Sequence, residues 1–289
     1  MIPDELRGHR ILSVGQLTRA GVTPVDTRQA LAAGELTRLK RGWYTPRSME
    51  WPTDRHALVV QAELKDHPGT VPSHQSGAIL LGYPVHRPDL KRVHLMRVDD
   101  GPARSRPTVV IHRRVDDAAV LLPALVIAQT ALTCPVSGLM AIDHALRTGS
   151  VTLADVESWC SRLKDHVGRA HLVPVLALAD GRRESPLESH SALTFHHWGW
   201  RLHPQFEVPG TQYRADARLG VVGQLGRHQV VELTVQVRHR QHGQHPSHGL
   251  VLGLLSGDGH AVGVADTADT VDTVRPAKKP AVIRSNEAA

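Results

Sequence analysis

Two short helices with clear start and stop signals constrain the N-terminal part of this chain more than any other feature. Ser13 can cap a first helix that Gly21 ends, because serine suits the N-cap and glycine suits the position after the last turn. Residues 23–26, Thr-Pro-Val-Asp, supply a capping residue, a proline at the first helical position and an acid three residues after the cap. With Gly34 ending the second helix, the sequence predicts a helix-turn-helix.

The residues after the second helix predict a small β-hairpin. Residues 36–39 alternate apolar and polar side chains, residues 40–42 can turn, and residues 43–45 return as a second strand. A helix-turn-helix with such a hairpin is a winged helix, so residues 1–50 are predicted to bind double-stranded DNA. The second helix would read bases in the major groove while nearby cations contact phosphates. The predicted base-facing residues are Asp26, Thr27, Arg28 and Gln29, and the predicted phosphate contacts are Arg19, Arg38, Lys40 and Arg41. A helical hairpin that binds protein is the alternative for this pattern.

The composition limits the class of protein without choosing a function. The 289 residues suffice for two or three domains. A net charge of +6 favours a polyanionic partner but does not distinguish DNA from RNA or lipid. The two cysteines, Cys134 and Cys160, give neither a disulfide framework nor a zinc pattern. The first residues lack the layout of a signal peptide, and no apolar run is long enough to span a bilayer, so a cytoplasmic location without membrane contact is expected.

The N-terminal residues resemble the AbiEi-type antitoxin family. The resemblance lies in residues 17–23 and 30–44, with Arg-Gly-Trp-Tyr at 41–44 as its most recognisable part, and it continues in Ser-His-Gln-Ser-Gly-Ala at 73–78. It implies that the winged helix binds the promoter of its own operon and that a nucleotidyltransferase toxin is the partner. A homodimer would suit a palindromic site.

Residues 51–180 carry no catalytic signature of their own. Helices are predicted at 56–64 and 73–82 and strands at 93–95 and 108–112, followed by four helices at 121–132, 136–147, 153–163 and 169–178. Arg104, Arg106, Arg113 and Arg114 form a second basic patch, which is either a further nucleic-acid contact or a solvated surface. His74 and His112 are expected to be structural or surface residues rather than metal ligands.

Four carboxylates near the C-terminus, on one predicted helix and two predicted strands, suggest a metal site. Glu184 and Glu188 are four residues apart on one helix face, Asp216 lies in a predicted strand, and Glu232 lies in the next. Such carboxylates can converge on Mg²⁺, which activates water for phosphodiester hydrolysis.

This arrangement resembles the PD-(D/E)XK nuclease fold, specifically very-short-patch-repair endonuclease-like domains. The run Glu-Ser-Pro-Leu-Glu-Ser at 184–189 carries the resemblance, which makes Glu188, Asp216 and Glu232 the catalytic carboxylates, with Asp216 and Glu232 on Mg²⁺. The chain departs from that family at Thr234, where the family has a carboxylate or a lysine. Working catalysis is therefore not expected.

The last residues differ in composition from the rest of the chain. Residues 239–248 are rich in His and Gln, residues 265–273 are nearly low-complexity, and no aromatic residue follows Tyr213. Residues 239–289 are therefore predicted to be a partly disordered tail. A shift of the reading frame after Glu232 is one hypothesis for this composition, and weak metal binding is an alternative role for the tail histidines.

The sequence as a whole predicts an α+β multidomain protein. The predicted domains are a winged helix at 1–50, a mixed and then helical region at 51–180, an incomplete or degenerate restriction-endonuclease-like α/β segment at 181–238, and the tail. The predicted function is that of a DNA-binding antitoxin or transcriptional regulator with an inactive nuclease-like domain and no required cofactor. The alternatives are a Mg²⁺-dependent DNA endonuclease targeted by the winged helix and a non-catalytic protein that binds a toxin.

Overall fold

The computed structural model describes residues 2–116, 118–207 and 214–220, together with the strand backbone of residues 221, 232–236, 250–255 and 261–267. The chain divides into two compact units, Met1–His190 and Ser191–Ala289. The mixed α and β content agrees with the predicted α+β class. No helix in the described residues is both long enough and apolar enough to cross a membrane.

Ten helices lie in the described residues, and most of them are in the first unit. Their bounds are α1 Asp4–Arg7, α2 Val14–Arg19, α3 Pro24–Ala32, α4 Pro52–Asp66, α5 His74–Leu80, α6 Pro123–Thr133, α7 Pro135–Arg147, α8 Leu153–Arg162, α9 Leu172–Leu178 and α10 Pro186–His197. A 3-10 turn at Arg169–His171 precedes α9. The four helices predicted between 121 and 178 are thereby confirmed, the last of them beginning with that turn.

The described strands form three sheets. Their bounds are β1 Leu12–Ser13, β2 Thr37–Lys40, β3 Trp43–Thr45, β4 Thr70–Pro72, β5 Val93–Arg97, β6 Arg104–Ser105, β7 Val109–His112, β8 Trp200–Glu207, β9 Arg214–Val221, β10 Glu232–Gln236, β11 Leu250–Leu255 and β12 Ala261–Thr267. The sheet orders are β1-β3-β2, β4-β5-β7-β6 and β12-β11-β10-β9-β8.

The first 45 residues form the helices and hairpin expected from their capping signals. Ser13 caps α2 and Thr23 caps α3, each in a reciprocal capping box with the residue three positions later, and Pro24 is the first residue of α3. The core beneath them includes Leu12, which is fully buried, and Leu17, which is nearly so. Full burial of a leucine contributes about 1.5–3 kcal/mol, so this small core accounts for the close packing of two short helices.

The second sheet is mixed, and one of its faces is apolar. Strands β5 and β7 are parallel neighbours, while β4 and β6 pair antiparallel with them on either side. Val93, Leu95, Val109 and Ile111 alternate along the two central strands and pack with Val60 of α4 in one core cluster. Because side chains alternate across a strand, His94 and His112 lie on the opposite face.

Two helices after this sheet are in close contact. Nearly every residue of α6 is buried, from Ala124 to Leu132. A β-carbon added at Gly138 of α7 would lie 2.4 Å from the Ala131 Cβ atom, so only glycine allows α6 and α7 to approach this closely.

The second unit is an antiparallel meander over its described residues. Ala215, Ala217 and Leu219 of β9 are buried at alternate positions, the pattern of a strand with one covered face. Strands β11 and β12 lie within the segment predicted to be a disordered tail, and the other residues of that segment lie outside the described part of the chain.

Candidate functional site

Helix α3 presents the residues predicted to face bases. The Arg28 side chain is exposed, and its Nε atom donates a hydrogen bond to the Pro24 carbonyl at 3.3 Å. Thr27 is half-buried and its hydroxyl donates to the Thr23 carbonyl at 3.0 Å. Arg28 is the longer and more accessible of the two, so it is the stronger candidate for a contact beyond the protein surface.

The Asp26 carboxylate has a local structural role. It accepts hydrogen bonds from the backbone N–H of Thr23 at 2.9 Å and from the Thr23 hydroxyl at 2.6 Å. These bonds lower the pKa of Asp26 below its ordinary value. Asp26 therefore completes the α3 cap through one of its carboxylate oxygens, and a contact of Asp26 with bases stays a prediction.

Three of the predicted phosphate contacts are exposed cations. Arg19 at the end of α2, Arg38 on β2 and Arg41 in the turn between β2 and β3 all have exposed side chains. Guanidinium groups can donate two parallel hydrogen bonds to one phosphate, so they suit phosphate recognition. These three residues lie where the sequence predicts them, on the helix-turn-helix and the hairpin.

Lys40 differs from the other predicted phosphate contacts. Its ammonium lies 2.6 Å from a carboxylate oxygen of Glu63 and 2.9 Å from one of Asp66, both on α4. The indole N–H of Trp43 also donates to Asp66 at 3.0 Å. Burial alone would raise the pKa of Asp66, but the hydrogen bonds from Lys40 and Trp43 lower it. Lys40 thus joins the hairpin to α4, and its contact with phosphate stays a prediction.

The second basic patch is only partly available for binding. Arg104, Arg106 and Arg113 are exposed, whereas Arg114 pairs with Asp100 at 2.8 Å. The choice between a nucleic-acid contact and a solvated surface stays open for these residues.

The carboxylate predicted on a helix, Glu188, caps α10. The Ser185 hydroxyl donates to one Glu188 carboxylate oxygen at 2.8 Å, and the backbone N–H of Glu184 donates to the other at 3.2 Å. The backbone N–H of Glu188 donates in return to the Ser185 hydroxyl oxygen. The run at 184–189 thus begins a helix, in keeping with an acidic residue at the positive end of the helix dipole.

The other two predicted metal ligands lie on neighbouring strands but not opposite each other. Strands β9 and β10 pair antiparallel with Thr234 opposite Arg218. In this register Glu232 lies opposite Gly220 of β9. Asp216 is four residues from Gly220 along β9, a distance of about 13 Å at about 3.3 Å per residue. The side chain of Glu232 lies outside the described residues, so a metal site at Glu188, Asp216 and Glu232 stays a prediction.

A buried ion pair adjoins the start of α10. Arg183 lies 2.7 Å from the Asp143 carboxylate, which also accepts from the Ser189 hydroxyl at 2.8 Å and the Asp180 backbone N–H at 2.7 Å. Arg183 donates to the Leu178 carbonyl as well. These bonds fasten residues 178–189 to α7, so Ser189 of the predicted nuclease motif has a structural partner.

Three histidines form a cluster that includes His74 and His112, which the sequence predicts to be structural or surface residues, and His94, which the sequence analysis does not single out. His74 begins α5, His94 lies on β5 and His112 lies on β7, and one ring nitrogen from each lies within 4.8 Å of the other two. His94 Nδ1 and His112 Nε2 are 3.0 Å apart, and the His74 and His112 rings stack with centroids 3.9 Å apart. In the described part of the chain this is the one group of three or more His, Cys, Asp or Glu residues that could hold a metal ion.

The histidine cluster is neutral at physiological pH. Burial lowers the pKa of His94 and of His112 to about 4, and burial also lowers the pKa of His74 well below its ordinary value. Neutral imidazoles keep a lone pair on one ring nitrogen, which is the form that ligates metals. No spacing rule could have found the cluster, because it depends on the pairing of β5 with β7.

No family model matches the chain, and no curated protein matches it. The two family resemblances therefore remain predictions.

Proposed function

We propose that residues 1–50 bind double-stranded DNA as a winged helix. The observation that carries the proposal is the order α1-β1-α2-α3-β2-β3 combined with the sheet order β1-β3-β2. In that arrangement α3 follows the turn of a helix-turn-helix, and the β2–β3 hairpin is the wing beside it. Helix-turn-helix proteins place the second helix in the major groove.

The charges of this segment support a polyanionic ligand. Residues 1–50 contain eight Lys and Arg residues against five Asp and Glu residues. Within this proposal Arg28 and Thr27 face the bases, whereas Arg19, Arg38 and Arg41 contact phosphates. Lys40 holds the wing on α4, since its ammonium is committed to Glu63 and Asp66.

The biological role proposed for this activity is regulation of the protein's own operon, as in the AbiEi-type antitoxins. A dimer on an inverted repeat would suit such a role, because two-fold symmetry in the protein matches a palindromic operator. A nucleotidyltransferase toxin is the proposed protein partner. Co-purification with the product of a neighbouring nucleotidyltransferase gene tests this part separately from DNA binding.

The experiment is a fluorescence-anisotropy titration of the full chain with a duplex covering the region upstream of its own gene. The variant R19A/R28A/R38A/R41A is expected to weaken binding at least about 100-fold, because it removes four contacts. The matched control is R104A/R106A/R113A, which removes three exposed arginines of the second basic patch. If the control loses binding and the wing variant keeps it, the assignment of the interface is wrong.

The endonuclease alternative is tested in the same preparation. Incubation of duplex DNA with protein and Mg²⁺ or Mn²⁺ is expected to give no cleavage, since Thr234 replaces the usual third-motif ligand or lysine. Cleavage that is lost in D216A would instead support the nuclease prediction.

A further inference from the structure

We infer that His74, His94 and His112 form a binding site for one divalent transition-metal ion of the zinc class. The inference goes beyond DNA binding, and the three residues lie on elements other than the predicted winged helix. It is carried by the convergence of three imidazoles from three separate elements of the first unit.

Strand pairing fixes the position of two of the three ligands. In the parallel pair of β5 and β7, His112 lies opposite Met96 and His94 lies opposite Val110. His94 and His112 are thus diagonal neighbours on one face of the sheet, within reach of long or aromatic side chains. Because the other face of these strands is the apolar core of Val93, Leu95 and Ile111, a slip in register would bury both imidazoles in that core.

The third ligand is held by an unusual backbone conformation. His74 has a φ angle of 49°, in the left-handed region that a residue with a β-carbon occupies at a cost of about 1–2 kcal/mol. Its backbone N–H donates to the side-chain oxygen Oε1 of Gln129 at 3.5 Å, and the side-chain nitrogen Nε2 of Gln129 in turn donates to the Met96 sulfur at 3.2 Å. Strained backbone conformations of this kind are concentrated at functional sites. There the strain holds a side chain in a position that an unstrained backbone would not give it.

Hydrogen bonds to the ring nitrogens leave suitable atoms for a metal. The Nδ1 atom of His74 is 3.1 Å from the Ser73 hydroxyl, which leaves Nε2 as the ligand. Metal-binding histidines characteristically hydrogen-bond through the second nitrogen, which fixes the tautomer and the ring orientation. His94 Nδ1 and His112 Nε2 are 3.0 Å apart, so in the neutral pair one of these nitrogens donates to the other. For both to bind a metal, the proton of the donor would have to move to the other nitrogen of its own ring.

The spacing requires only a small rearrangement on binding. Zn–N bonds of about 2.0–2.1 Å in a tetrahedral site put ligand nitrogens about 3.3 Å apart. One ring nitrogen from each histidine lies within 4.8 Å of the other two, so rotation of the rings about their Cβ–Cγ bonds would have to close the remaining distance. The rotation opens the stack of His74 and His112, whose planes are 23° apart.

The donor set selects the class of metal. Three nitrogen donors suit Zn²⁺, Co²⁺, Ni²⁺ and Cu²⁺, whereas Mg²⁺ and Ca²⁺ prefer oxygen. All three rings are neutral at pH 7, so no proton has to be expelled before the metal binds. Three protein ligands leave a fourth tetrahedral position for water or another small ligand.

The test separates this site from the histidines of the tail. A full-length variant, H239Q/H242Q/H245Q/H248Q, removes the four histidines of residues 239–248 and is stripped of metal with a chelator. Titration with Zn²⁺ against a competing chelator is expected to show one equivalent bound, and Mg²⁺ is expected not to bind. Co²⁺ is expected to give the visible absorption of a tetrahedral nitrogen site, and Zn²⁺ is expected to raise Tm.

Substitutions in this background locate the ion. H94Q and H112Q are each expected to weaken zinc binding at least about 100-fold, since removal of even an outer-shell partner of a ligand costs about 10–100-fold. H74N is the third variant, because asparagine tolerates the left-handed backbone. The matched control is H144Q, which removes a half-buried histidine beside Tyr83 outside the cluster and is expected to leave binding unchanged.

Two results would overturn the inference. The first is that the variant H239Q/H242Q/H245Q/H248Q, the tail variant, binds no zinc. The second is that H94Q, H112Q and H74N bind zinc as tightly as the tail variant does, although circular dichroism shows that they are folded. If these variants do not fold, X-ray absorption of the zinc-loaded tail variant decides, with three imidazole ligands expected. A spectrum with fewer than three imidazole ligands would contradict the proposed site, and the cluster would then be only a stack of buried neutral rings.

Discussion

The guanidinium of Arg183 lies 2.7 Å from the carboxylate of Asp143, and the two side chains are only 3% and 2% exposed. Both charges are removed from water, so each depends on the other and on its further hydrogen bonds. Ser189 and the Asp180 backbone supply those bonds to the carboxylate. The pair is therefore a strong constraint on how residues 178–189 lie against α7.

Removal of one partner of this pair should destabilise the first unit severely. The variant R183M leaves an uncompensated carboxylate in the interior, which costs about 3–5 kcal/mol of unfolding free energy. Urea denaturation followed by circular dichroism measures the loss. R182A is the control, because Arg182 pairs with Asp180 at the surface with 63% of its side chain exposed, and such pairs contribute about 0–1 kcal/mol. Equal losses in the two variants would contradict this view of the buried pair.

The contact of Lys40 with Glu63 predicts a coupling between the wing and α4. K40M leaves the Glu63 carboxylate, which is 4% exposed, without its closest cation, so we expect a loss of about 2–4 kcal/mol. K40M/E63Q should recover much of that loss, because the glutamine is neutral. The slope of log affinity against log salt for DNA should stay unchanged in the double variant. A slope smaller by about 1 would instead make Lys40 a phosphate contact.

These examples show why local structure was predictable and the site contacts were not. Ser13, Thr23 and Pro24 act within one helical turn, so their identities alone indicate where α2 and α3 begin. Asp143 and Arg183 are 40 residues apart in sequence, and the partners of Lys40 lie on a later helix. Such contacts depend on the packing of whole elements, which no pattern of neighbouring residues encodes.

The histidine cluster and the carboxylates illustrate the same limit. His94 and His112 become neighbours only through the parallel pairing of β5 with β7. Asp216 and Glu232 are on paired strands, as expected, but their separation along the ladder follows from a register that the sequence did not specify.

Gly138 should not tolerate a side chain. The β-carbon of G138A would meet Ala131 side-chain and backbone atoms at 2.4 and 2.6 Å, so α6 and α7 must separate. Overpacking of this kind costs about 1–3 kcal/mol. G15A in α2 is the control, since its β-carbon would meet only the Ser13 hydroxyl at 3.9 Å and alanine favours a helix by about 0.5–1 kcal/mol. Thermal unfolding should show a lower Tm for G138A and an unchanged or higher Tm for G15A.

The stability of the metal-free protein should fall as the pH drops below 6.5. His94 and His112 have an ordinary pKa of 6.5 when unfolded and a pKa of about 4 when folded, so the unfolded chain takes up protons first. Their contribution is complete above pH 6.5 and is lost between pH 6.5 and about 4.

Urea denaturation in the presence of a chelator measures this dependence. H94Q/H112Q should lose less stability than the parent protein over the same pH interval, because two of the titrating groups are gone. An equally steep dependence in the double variant would place the responsible groups elsewhere.

Arg28 and Arg41 should differ in how their loss affects DNA binding. Arg41 lies in the wing turn, and as a phosphate contact it would contribute equally on any sequence. R41A should therefore weaken specific and random duplexes alike and reduce the salt slope by about 1. Arg28 is exposed on α3, and as a base contact its loss should cost about 1–3 kcal/mol on the preferred site alone. Anisotropy titrations of both variants with the upstream duplex and with a shuffled duplex, at several salt concentrations, separate the two roles. If R28A weakens both duplexes equally, α3 does not read the sequence through this residue, and specificity must come from another part of the winged helix.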